Sequence, residues 1–101
     1  MSKHAIDCVT FKLNATAEID ALLKESAVLS EWIKTRPGFI SRRMGVDENG
    51  VWMDTSEWDS LANLKATSEA FMSAPEAAGL MALIDPNSVG GYHIEIADSL
   101  N

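Results

Sequence analysis

A chain of 101 residues supports one domain, and at that length folding buries roughly two-thirds of the surface that the unfolded chain exposes. With 47% hydrophobic and 23% charged residues the composition is that of a globular domain, neither disordered nor fibrous. A formal charge of −7 argues against nucleic acid and against an anionic membrane surface, because the basic residues gather only at Lys34 with Arg36 and at Arg42-Arg43.

The N-terminal stretch MSKHAIDCVTFKL has no apolar run resembling a signal peptide, and nowhere does the chain reach the roughly 18 apolar residues of a membrane-spanning helix. The expected compartment is the cytoplasm. Cys8 is the single cysteine, which rules out an intramolecular disulfide and a Cys-rich zinc site and fits a reducing environment.

Residues 5 to 13, AIDCVTFKL, read as a strand. Ala5, Asp7, Val9, Phe11 and Leu13 share one parity and Ile6, Cys8, Thr10 and Lys12 the other, so both faces are partly apolar and both are expected to be covered. The following segment to Lys34 reads as a helix, with Thr16 as its N-cap and its end near Thr35, ahead of the Pro37-Gly38 turn. Ile19, Leu22, Leu23, Ser26, Leu29, Ser30 and Ile33 form its inward stripe. Ser26 and Ser30 either let the helix approach a sheet or border a cavity, and Trp32 falls outside the stripe, free to contact something other than the core.

FISRRMGV and VWMDTSEW then flank DENG, a hairpin signal. A four-residue loop, Asp47 to Gly50, sets Met44 opposite Met53, Arg43 opposite Asp54 and Phe39 opposite Trp58; a two-residue Asn49-Gly50 loop sets Arg42 opposite Glu57. A second helix starts at Asp59 or Ser60, with Leu61, Leu64, Ser68, Phe71 and Met72 on one stripe. Ser73 and Glu76 in SAPE read as a capping box restarting a short helix, Asp85 to Ser88 as a turn. The last strand, VGGYHIEIA, has Tyr92, Ile94 and Ile96 on one face and Gly91, His93 and Glu95 on the other.

This order is β-α-β-β-α-β, an α+β ferredoxin-like arrangement in which helices cover one face of a four-stranded antiparallel sheet. The strands are too apolar on their second face for a wet surface, so a homodimer through that sheet face is expected. The element order, RPGFISRRMG after the first helix, and EWDS ahead of an Ala-rich helix resemble the antibiotic biosynthesis monooxygenase superfamily over about residues 5 to 97. The resemblance implies a ferredoxin-like domain over residues 1–101 that pairs face to face into a dimeric α+β barrel. It further implies activities ranging from cofactor-independent oxygenation of aromatic polyketides to haem breakdown and chemistry on quinones or small aldehydes. The haem-degrading members use an Asn on strand one and a Trp and a His around helix two. DCVTF, LKATSEAF and APEAAGL contain none of these, so haem is not expected, and the resemblance to the oxygenating members implies no cofactor.

His93 is the one histidine inside a predicted element, His4 lying near a frayed end. It reads either as a general base for a phenol or enol or as a structural histidine that pairs with Glu95, meets solvent or lies at the dimer interface. Trp52 and Trp58 either line a pocket for a flat ligand or belong to the core or interface. Asp54, on their face with Ser56, needs a partner if buried, and a pair with Arg42 or Arg43 is the simplest one. Cys8 reads as a buried apolar residue, and Met44, Met53, Met72 and Met81 either line a pocket or fill the core. Gly90-Gly91 reads as a bulge or a close approach, and no residue spacing suggests a metal site.

The functional expectation is a small, largely apolar, aromatic or quinone-like ligand between helices and sheet. Its candidate contacts are Trp52, Asp54, Trp58, Phe71 and Met72, with His93 as the candidate catalytic base. The resemblance implies cofactor-independent oxygenation. The alternative is a non-catalytic ligand-binding or structural dimer module of the same fold.

Overall fold

A computed structural model describes residues 3–100. Four strands, β1 (Ala5–Phe11), β2 (Phe39–Val46), β3 (Trp52–Trp58) and β4 (Gly90–Glu95), form one antiparallel sheet in the order β2-β3-β1-β4. The helices α1 (Ile19–Ile33), α2 (Leu61–Phe71) and α3 (Pro75–Met81) complete the ferredoxin-like α+β order expected from the sequence. α2 packs on β1, β3 and β4, and α1 packs beside α3. Among the described residues no helix is long and apolar enough to cross a membrane.

The strand parities decide what the helices cover. Ala5, Asp7, Val9 and Phe11 lie opposite Trp58, Ser56, Asp54 and Trp52, so all eight point to the helix side. The covered core is divided into two clusters. Phe11, Leu22, Leu29, Trp52, Ala74, Ala77 and Leu80 pack at one end, with Phe11 and Trp52 stacked at 6.4 Å between ring centroids. Ala5, Ile33, Trp58 and Leu64 pack at the other, where Phe39 meets Trp58 edge-on at 5.5 Å. Trp32 packs against both clusters and Arg36 lies over its ring, so it belongs to the core and does not look outward as its helical angle suggested.

Several local expectations give way to tertiary constraints. Thr16 does not cap α1; the N-cap is Glu18, without a side-chain bond. Leu13 bridges Ile84 and the Asn14 amide donates to Leu83, so the chain first turns from Asn14 to Ala17 before helix can begin. Within the α1 stripe Leu22, Leu29 and Ile33 are buried, whereas Ile19 in the first turn and Leu23 at the margin stay half exposed. α2 starts where anticipated, with Ser60 capping it by accepting from the Asn63 amide, but Ser73 forms no capping box. Ala74 is the N-cap of α3, Pro75 occupies its first turn, and the Ser73 hydroxyl donates to Ala70 instead.

The hairpin adopts neither anticipated register. The Asp47 carboxylate accepts from the amides of Asn49 and Val51, and the Asp47 amide donates to Val51, which closes a three-residue loop with Gly50 at φ 81°. Met44 therefore faces Asp54 and Arg43 faces Thr55, while a bulge between Phe39 and Ser41 restores the pairing of Phe39 with Trp58. His4 is not frayed: its carbonyl accepts from Ile96 and its ring meets Glu57 at 2.9 Å.

On the helix-free face Met53, Tyr92 and Ile94 are exposed at 48%, 62% and 49%, with Ile6 and Cys8 half-buried between them. Gly38 marks the other tight constraint. At φ 82° it occupies the left-handed region, its carbonyl accepts from Asp59, and a Cβ there would collide with Asp59 and Asn63. Gly38→Ala is expected to lower stability by about 1–3 kcal/mol in denaturant unfolding, through backbone strain plus that collision.

Candidate functional site

Between sheet and helices lies a cavity of about 430 Å³. Its floor is set by register. His93 lies opposite Asp7, Asp7 opposite Ser56, and Ser56 opposite Arg42, so one polar residue from each strand forms a row across the whole sheet. The row runs between the two apolar clusters, and all four of its members line the cavity. Gly91 faces Val9 beside the row and adds no side chain, which keeps that part of the floor open. Asp54, Thr67 and Ser68 add further polar groups, and most of the remaining lining is apolar, with Leu29, Ile33, Leu64, Leu80 and Ile84 among it.

Arg42 is the most heavily bonded side chain in the row. Its Nε and Nη2 donate to the two Asp54 oxygens at 3.0 and 2.7 Å, and Nη1 donates to the hydroxyls of Ser26 and Ser30 at 2.8 and 2.9 Å. The small stripe residues of α1 thus serve the close approach of helix to sheet, with a guanidinium between them. The pair is buried, Arg42 at 7% and Asp54 at 16% side-chain exposure. Removing one partner alone costs about 3–5 kcal/mol, because the other charge is left uncompensated. Burial raises the Asp54 carboxyl above its ordinary value, and the Arg42 hydrogen bonds and charge pull it back.

Asp7 is the functional candidate that sequence reasoning passed over. Its Oδ1 lies 3.5 Å from His93 Nε2. Burial raises its carboxyl, His93 counteracts this, and the nearby Asp54 adds to the rise. A signal was present in the sequence: Asp7 is the one carboxylate on a parity otherwise made of Ala5, Val9, Phe11 and Leu13. His93 meets Asp7 rather than Glu95, because a directly opposed cross-strand residue is closer than one two positions along the same strand.

Of the residues singled out from sequence, Asp54, Trp58, Phe71, Met72 and His93 line the cavity. Trp52 does not; it is 6% exposed and held against Phe11 in the core. Phe71 is half-buried, and Met72 is 73% exposed, so it lies where the cavity meets solvent. Met81 also lines the cavity, whereas Met44 packs with the core and Met53 lies on the far face of the sheet. Gly90 is the close-approach glycine, since a Cβ there would press on Thr10 Oγ1, and the β1–β4 pairing runs through it without a bulge. Among the described residues no three His, Cys, Asp or Glu side chains gather as metal ligands do.

This architecture is shared with solved structures. SnoaB, a cofactor-independent oxygenase from Streptomyces nogalater, superposes with a TM-score of 0.77 at 11% identity, over 98% of each chain. A candidate antibiotic biosynthesis monooxygenase from Chloroflexus aurantiacus J-10-fl gives 0.67 at 20% identity over 97% of each chain. A dimeric ferredoxin-like protein of unknown function from Jannaschia sp. CCS1 gives 0.70 at 15% identity, over 92% of this chain and 99% of that one. The resemblance drawn from sequence is therefore matched by antibiotic biosynthesis monooxygenase-type proteins at the level of fold. No family model matches the sequence, and no curated protein does.

The raised Asp7 carboxyl has a signed consequence. Between 3.8 and its folded value the native state holds a proton that the unfolded chain has released, so native stability falls as pH rises through that window. Asp7→Asn lacks this loss. In thermal melts across pH the variant's Tm advantage is expected to widen as pH rises from about 3.8 and then level off; a gap that narrows with rising pH is the contrary result.

Proposed function

We propose that the chain binds a small, largely apolar aromatic or quinone-like molecule in the cavity and oxygenates it without a cofactor. The observation that carries this reading is the row His93, Asp7, Ser56 and Arg42 crossing the floor of a largely apolar cavity. Trp58, Phe71 and Met72 supply apolar wall for a planar ring. The fold shared with SnoaB supports the reaction class.

In this reading His93 takes a proton from an acidic C–H or its enol tautomer, and Asp7 stabilises the resulting imidazolium. The substrate carbanion passes electrons to dioxygen and a C–O bond forms, giving a peroxide that recovers the proton. Breakage of the O–O bond with loss of water leaves a ketone. One oxygen atom stays on the substrate, the other leaves as water, and the CH₂ carbon supplies the electrons. Arg42 is committed to Asp54, Ser26 and Ser30, so its contribution is to hold the floor.

The same reading includes a second copy of the chain on the helix-free sheet face, where Met53, Tyr92 and Ile94 are exposed, and a cytoplasmic setting compatible with the free thiol of Cys8. The dimeric Jannaschia protein of the same fold supports this assembly.

Oxygen uptake with a panel of anthrones and hydroxylated naphthoquinones is expected to fall about 10²–10⁴-fold in His93→Ala. No uptake with any compound, while the same compounds raise Tm, would establish a binding module instead. Light scattering at micromolar concentration is expected to give twice the chain mass, and the mass of one chain after Tyr92→Asp with Ile94→Asp. A monomeric wild-type protein would refute the paired sheet.

A further inference from the structure

Ser56 on the floor and Thr67 on α2 are each hydroxyls that the protein satisfies on one side only. Both line the cavity, and they are 7% and 3% exposed. Ser56 Oγ accepts from Trp58 Nε1 at 2.9 Å, and Thr67 Oγ1 accepts from Arg36 Nε at 3.3 Å. Indole and guanidinium nitrogens can only donate, so both hydroxyls are held as acceptors towards the protein. Neither hydroxyl hydrogen has a protein acceptor within hydrogen-bond distance among the described residues, although Asp7 lies directly across from Ser56 in the sheet. A buried donor left in this state is costly, and the space into which it can donate is the cavity.

We propose that Ser56 and Thr67 are the polar anchors of the ligand, two donors that select a planar apolar molecule carrying a hydrogen-bond acceptor, either a ring carbonyl or the oxygen of its enolate. This deepens the reading of the cavity as a ligand site and rests on it. Ser56 is two strand spacings from His93, roughly 10 Å at the backbone, with Asp7 between them. A fused two- or three-ring skeleton, with side chains reaching in from both ends, spans that distance. An acceptor oxygen at Ser56 and Thr67 leaves the far ring beside His93 and Asp7. The same two donors gain strength towards the oxygen as it takes up negative charge on deprotonation. A hydrocarbon of equal shape leaves both donors unmet, so the cavity discriminates by oxygen as well as by size.

The test compares 2-methyl-1,4-naphthoquinone with 2-methylnaphthalene, the hydrocarbon of the same skeleton, by titration against tryptophan fluorescence and by calorimetry. Thr67→Val keeps the side-chain shape and removes the hydroxyl. It is expected to weaken quinone binding about tenfold, the loss of one good hydrogen bond, while leaving the hydrocarbon within about twofold, and Thr67→Ser is expected to restore the quinone. Ser56→Ala strips Trp58 of its acceptor and Thr67→Val strips Arg36, so the unchanged hydrocarbon affinity is the control for each, and Thr67→Ser, which keeps a hydroxyl for Arg36 and for the ligand, decides the matter. Equal weakening of both ligands, unchanged quinone affinity in Thr67→Val, or a wild type that does not prefer the quinone overturns the proposal. Oxygen uptake on the same proteins separates the two readings. Oxygen-selective binding without turnover of any anthrone or hydroxynaphthoquinone removes the oxygenase and leaves the anchors, whereas turnover that is indifferent to Thr67→Val removes the anchors and leaves the oxygenase.

Discussion

The structure depends on one buried guanidinium. Arg42 enters from an edge strand, crosses to Asp54 on the neighbouring strand, and reaches up to two serines of α1. An arginine is suited to this because its planar fork offers donors in several directions at once and does not give up its proton. Sheet and helix are therefore joined by directional bonds where the apolar core is interrupted. Such a pair adds little to stability compared with a well-packed apolar replacement, yet it fixes geometry: the helix cannot slide without breaking several charge-assisted bonds.

The interruption itself follows from strand parity. Between the Phe11–Trp52 cluster and the Ala5–Trp58 cluster, both inward positions of β3, Asp54 and Ser56, are polar, β1 contributes Asp7, and Gly91 on β4 contributes no bulk. Alternation of side chains carries Asp7, Ser56, Arg42 and His93 to the same side and register lines them up. A continuous hydrophobic floor would have packed solid, as interiors of this density do. A fold of this kind accommodates many chemistries, so the functional reading rests on the residues of that one row and not on the fold.

The larger elements were legible because their signals are local and redundant. Helix periodicity, Pro37-Gly38 and Asn49-Gly50 each mark a boundary without reference to the rest of the chain. The shared parity of Trp52, Asp54, Ser56 and Trp58 was legible too, but not the side it faced, since that depends on which surface the helices cover. Long-range contacts account for the rest. The start of α1 is set by the Leu13–Ile84 bridge, and the hairpin register by the Asp47 carboxylate, which competes successfully with the simpler loops. Trp32 keeps its helical angle, but the two clusters meet beside it and cover that flank of α1. Asp7 escaped notice because its importance lies in what stands opposite, and His93 is 86 positions away in the chain.

The sheet is one residue thick. Asp7 stands between Ile6 and Cys8, and His93 between Tyr92 and Ile94, so each polar group on the inner floor is flanked along its strand by side chains of the outer face. Anything that packs on the outer face grips the same backbone that carries the inner row. A change in sheet twist imposed from outside therefore alters the spacing of Asp7 and His93, which is already longer than a good hydrogen bond at 3.5 Å. The two surfaces are mechanically one object, and the proton affinity of the floor is a property that an outer contact can tune without touching the cavity.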